Sequence, residues 1–74
     1  MSGDASIEAF DLLSNEVRLD ILWTLGEAEA AGESPLAFTE LQQRVGVEDN
    51  GRFNYHLTRL VDRLVDKADD GYEL

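Results

Sequence analysis

The chain of 74 residues contains no cysteine. Disulfides and thiolate metal ligands are therefore excluded, and the lack is consistent with the cytosol. There is one histidine, no glycine-rich phosphate loop and no Gly-x-Ser-x-Gly. The nucleophile and base pairs that catalysis requires are missing, so no enzyme, catalytic residue, cofactor or metal is expected. A hard-cation site from Asp69, Asp70 and Glu73 is conceivable, but the spacing of a calcium loop is absent. No apolar run approaches the ~20 residues that cross a bilayer, and the acidic start Met1-Ser2-Gly3-Asp4 lacks the basic region of a signal peptide. The expectation is one small cytoplasmic domain whose core is only marginally large enough.

Positive charge is also scarce. Acids outnumber bases 16 to 6, Lys67 is the single lysine, and the net charge is −10. Such a surface suits concentrated salt. At ~1 M ionic strength the Debye length is about 3 Å, so repulsion among carboxylates largely vanishes while their hydration remains. The composition therefore reads as halophilic. The few bases are focused: residues 1–43 sum to −8 with Arg18 alone among the acids, whereas residues 44–67 sum to +1 and hold Arg44, Arg52, Arg59, Arg63 and Lys67. Focusing of this kind suggests a surface that meets phosphate, although the global charge opposes a polyanion.

Hydrophobic periodicity predicts four helices and a short sheet. Asp4 can cap a helix from Ala5 to Leu13 with Ile7, Phe10 and Leu13 on one stripe. Ser14-Asn15 interrupts and recaps. A second helix, Glu16 to Ala30, carries Val17, Leu19, Ile21, Leu22, Trp23, Leu25 and Ala28 around much of its circumference, which predicts the central buried element with Trp23 in the core. Gly32 and Pro35 end it. Leu36-Ala37-Phe38 is a short extended piece. Thr39 and Gln42 then fit a capping box, so a very short third helix should start near Glu40, bury Leu41 and Val45, and stop at Gly46.

The fourth helix has two chemically opposed faces. Capped by Asp49 or Asn50 and running to about Leu64, it would place Phe53, Leu57, Leu60, Val61 and Leu64 on an apolar stripe. Gly51, Arg52, Tyr55, Thr58 and Arg59 gather opposite. His56 sits beside the stripe and reads as a packing residue. Asp69-Asp70-Gly71 between short alternating segments signals a hairpin. Short helix, tight turn, amphipathic helix and hairpin is the winged helix-turn-helix order. The predicted fold is thus mainly α with a short strand before the third helix and a two-stranded wing at the C-terminal end.

Two segments carry a family resemblance. Leu12-Leu13-Ser14-Asn15-Glu16-Val17-Arg18-Leu19-Asp20-Ile21-Leu22 resembles the junction of the first two helices in ArsR-type winged-helix repressors, and Asn54-Tyr55-His56-Leu57-Thr58-Arg59-Leu60 resembles their recognition-helix pattern. The run from Phe10 to Leu74 is similar in particular to DNA-binding domains of halophilic archaeal regulators. The resemblance implies a transcription regulator that binds double-stranded DNA, with residues 1–74 as the N-terminal part of something longer. It also implies a homodimer, through residues 1–13 or a segment beyond Leu74. Metal-sensing members carry paired cysteines in the third helix, but this chain reads Glu40-Leu41-Gln42-Gln43-Arg44, which excludes thiolate sensing.

The physical chemistry of DNA recognition assigns roles to these residues. Arg52 and Tyr55, one turn apart near the start of the helix, should read base edges, with Gly51 either admitting the backbone or easing the helix start. Asn54 flanks them, within reach of phosphate or an adenine edge. Thr58, Arg59 and Arg63 continue toward phosphates, Lys67 reaches the backbone or minor groove from the wing, and Thr39, Gln42 and Gln43 position phosphate from the preceding helix. Arg59 and Arg63 could instead form a solvated lattice with Asp62 and Asp66. The rival reading is a winged helix that binds protein without touching DNA, which the net charge favours.

Overall fold

The computed structural model describes residues 13–74. The helix expected from Ala5 to Leu13 lies outside them but for Leu13, which is exposed. Among the described residues the order is α1 (Glu16–Ala30), α2 (Phe38–Val45), α3 (Asn50–Leu60), β1 (Asp66–Ala68) and β2 (Gly71–Glu73). Three helices and a two-stranded antiparallel hairpin are compatible with a winged helix. None of these helices is long and apolar enough to cross a membrane.

α1 begins where the side chain of Asn15 accepts from the amides of Val17 and Arg18, satisfying two donors that have no partner inside the helix. It ends at Ala30, and Gly32 takes the left-handed conformation just beyond (φ 75°). Val17, Ile21, Leu25 and Ala28 face the core, joined there by Leu41 of α2 and by Phe53, Leu57 and Leu60 of α3. Leu22 is only half-buried against them. The opposite face corrects the sequence reading. Trp23 is 71% exposed and Leu19 47%, so α1 is covered along one side and bare along the other. An apolar residue at every angle of a helix does not require a neighbour at every angle.

α2 also starts differently from the expected capping box. Its first residue is Phe38, Ala37 occupies the cap position without a side-chain hydrogen bond, and Gln42 is engaged elsewhere. Phe38 sets its ring edge-on to Phe53, centroids 5.2 Å apart, which ties α2 to α3. The helix stops at Gly46 in the left-handed conformation (φ 86°), as its sequence predicts.

α3 is capped by Asp49, whose Oδ1 accepts from the Arg52 amide at 3.0 Å. It does not run to Leu64. Val61 is already extended, Asp62 adopts a left-handed conformation (φ 68°), and residues 62–64 form a turn in which the Asp62 amide donates to the Val65 carbonyl. The turn exchanges the expected apolar positions: Leu64 is 43% exposed and Val65 is buried in its place. The chain then enters the hairpin, with Asp66 opposite Glu73, Lys67 opposite Tyr72 and Ala68 opposite Gly71. Leu36 lies antiparallel to Tyr72 and exchanges two hydrogen bonds with it, 3.0 and 2.8 Å, so the hairpin is anchored to the loop before α2.

Candidate nucleic-acid interface

α3 is gripped by one face and offers the other. Phe53, His56, Leu57 and Leu60 are buried, while Asn50, Gly51, Arg52, Asn54, Tyr55 and Thr58 are exposed. The period of 3.6 residues produces this division, because positions three and four apart share a side. Five of the predicted contact residues (Gly51, Arg52, Asn54, Tyr55, Thr58) are thereby brought onto one open surface. Arg59 is half-buried beside them, its guanidinium 5.9 Å from the centre of the Tyr55 ring. That distance is within the reach of a cation–π attraction, and the Tyr55 ring also meets His56 edge-on with centroids 5.2 Å apart.

The remaining predicted residues are placed less favourably. Arg63 lies in the turn after α3, so it is not the next cationic position on the helix face after Arg59. The groove where the helix meets this turn has a volume of about 550 Å³ and is lined by Thr58, Arg59, Val61, Asp62 and Arg63. Lys67 stands on the hairpin, 5.3 Å from the centre of the Tyr72 ring, on a strand whose turn is Asp69-Asp70. Carboxylates at the tip oppose a phosphate there. Thr39 and Gln43 are exposed on α2, while Gln42 donates to the Val47 carbonyl (3.0 Å) and to Asn50 Oδ1 (2.6 Å) and so holds the turn between helices. Arg44 is also committed, to Glu33 at 2.9 Å and Glu40 at 2.8 Å, and these hydrogen bonds raise its pKa. It is one of the five bases that focus charge in 44–67, but its charge is answered locally.

Gly51 needs no special conformation. A Cβ built on it would meet Asp49 Oδ1 at 3.5 Å, an ordinary contact, so its bareness is available for close approach without being required by the fold.

Two residues stand behind this surface, of which His56 packs as its sequence position predicts and Arg18 is not anticipated by the sequence. Arg18, the lone base of the acidic half, is buried on α1 at 6% exposure, and His56 is buried at 8%. Burial, followed by the positive charges of Arg18, Arg52 and Arg59, lowers the pKa of His56 below its ordinary 6.5. The three arginines, separated by up to 41 positions in the chain, therefore contribute positive potential around one imidazole. No local pattern reveals this, because only the packing of α1 on α3 unites them.

The histidine makes stability depend on pH. Since the folded pKa lies below the unfolded one, the unfolded chain binds the proton first as pH falls beneath about 6.5. Stability is fully present above that value and is lost progressively down to the folded pKa, where the loss levels off. Melting temperature should show this step, and His56→Gln should remove it.

The structure thus defines a small helical domain closed by an antiparallel hairpin, with one amphipathic helix turned outward. The chain belongs to the family described as a domain of unknown function (DUF7347), which matches residues 6–74. No curated protein and no solved structure matches it.

Proposed function

We propose that the domain is a winged helix-turn-helix of a transcription regulator, with α2 and α3 as the helix-turn-helix, the hairpin as the wing and Leu36 as the third strand position. In this reading α3 lies in the major groove of double-stranded DNA. The observation that carries it is the division of α3: its apolar residues are spent on the core, and Arg52, Asn54, Tyr55 and Thr58 are left together in solvent. A helix presented in this way fits the groove, and hydrogen-bonding side chains near its start reach base edges. Arg52, exposed near the start of α3, and Arg59, half-buried on the same helix, put cationic groups beside this face in a chain of net charge −10.

The acidic hairpin tip shifts the balance of contacts toward α3. Arg52 and Tyr55 are the base readers, Arg59 holds phosphate, and Lys67 contributes weakly. Concentrated salt would further suppress the affinity gained from phosphate neutralisation, so base contacts carry more of the binding. Titration of DNA fragments with wild type, Arg52→Ala, Tyr55→Ala and Lys67→Ala tests these roles. Arg52→Ala should cost roughly 1–3 kcal/mol and relax preference at one position, whereas Lys67→Ala should weaken all sequences alike and reduce the salt slope by about one. Four proteins that bind identically, or not at all at any salt, would sink the assignment.

A protein-binding role has one specific observation in its favour, the bare Leu19 and Trp23 on the outer side of α1. If that surface carries the function, Trp23→Ser abolishes partner capture while Arg52→Ala leaves it intact. The DNA reading expects Trp23→Ser to bind DNA as wild type does.

A further inference from the structure

Gln42 and Asn50 form a polarity relay at the start of α3. The Val47 carbonyl can only accept, so the Gln42 group 3.0 Å from it is the Nε2 amide. That amide has two protons. The other is directed to Asn50, 2.6 Å away, and the receiving atom is therefore Oδ1. Both protons of Asn50 Nδ2 are consequently left to a group outside this relay, on an exposed residue at the first position of α3.

From this geometry we infer that Asn50 is a donor contact to DNA, its amide oriented by Gln42, and that it recognises a hydrogen-bond acceptor in or beside the major groove. The inference rests on the DNA reading of α3 and adds to it a residue outside the predicted contact set. Purine N7, guanine O6 and thymine O4 are the acceptors a groove offers, and a phosphate oxygen presents the same chemistry. Gln42 is a positioning residue in this scheme. Its two amide protons are consumed by Val47 and Asn50, so it has no amide donor left for phosphate.

The test has two parts, both on the full chain. In the free protein, the side-chain amide protons of Gln42 should exchange with water measurably more slowly than those of Asn50 by ¹⁵N NMR; equal, rapid exchange at both would overturn the relay. For binding, duplexes enriched by wild type from a random pool are titrated with Asn50→Ala, Asn50→Asp and Gln42→Glu, with melting temperatures measured alongside. Asn50→Asp keeps an acceptor for Gln42 and has no proton to donate, whereas Asn50→Ala removes the donor without adding charge. Gln42→Glu can only accept, so it turns Asn50 Nδ2 inward and presents Oδ1 where the donor stood.

All three should lose about 5- to 150-fold in affinity, the range for one lost base contact, while remaining folded. If one variant unfolds, the others carry the result. Loss confined to one position of the enriched site identifies a base acceptor; an equal loss on every duplex identifies phosphate. Full affinity in folded Asn50→Ala overturns the inference and leaves the DNA reading standing. Failure of wild type to enrich any duplex overturns both.

Discussion

Phe53→Ala should unfold the domain. Phe53 has no exposed surface, meets Phe38 edge-on and lies in the cluster that joins α1, α2 and α3. Removing a buried phenyl ring costs about 3–5 kcal/mol, through lost transfer energy and the cavity left behind. Native domains hold only about 5–15 kcal/mol in total, and a domain this small should sit near the lower end. The variant should lose most of its cooperative thermal transition, followed by circular dichroism. A transition unchanged from wild type would show that the ring is not an essential part of the core. Phe53→Leu, which keeps much of the volume, should retain the fold.

Gly71→Ala should have the next largest effect, and it acts on the hairpin. A Cβ at Gly71 would collide with the Leu36 carbonyl oxygen and lie 2.8 Å from the Ala37 nitrogen. Both are backbone atoms, so no side-chain rotation can relieve the collision. The methyl group must push Leu36 off Tyr72, breaking the paired hydrogen bonds of 3.0 and 2.8 Å that anchor the hairpin. Overpacking of this kind costs about 1–3 kcal/mol and sometimes more. Hydrogen exchange should report it locally, with protection lost at the amides of Leu36 and Tyr72 while that of Ile21 and Leu25 persists. Unaltered protection at Leu36 and Tyr72 would contradict the close approach.

Much of this architecture is legible in the sequence because local signals and tertiary packing agree. The bounds of α1 follow from Asn15 before the helix and Gly32 and Pro35 after it, and Gly46 marks the end of α2 for the same reason. The division of α3 follows from the spacing of Phe53, Leu57 and Leu60. Disagreement arises where a distant partner outbids a local pattern. Thr39 and Gln42 have the spacing of a capping box, but Val47 and Asn50 claim the Gln42 amide. The apolar period continues through Val61 and Leu64, yet Asp62 enters the left-handed region that aspartate tolerates better than most residues, and the helix has already ended. Trp23 looks like core because hydrophobicity surrounds α1, and only the packing decides which side is covered. Arg18 illustrates the same limit for the interface: a single base among acids gains its place beside His56 from the fold alone.

The claim that α3 is the reading surface is tested most directly by titrating ¹⁵N-labelled protein with a duplex enriched from a random pool, in concentrated KCl, and mapping the amides that shift. The proposal predicts the largest changes at Asn50, Gly51, Arg52, Asn54, Tyr55 and Thr58, with little change at Leu19, Trp23 and Glu27 on the outer side of α1. Shifts centred on Trp23 with α3 silent, or no shift with any duplex, would contradict it.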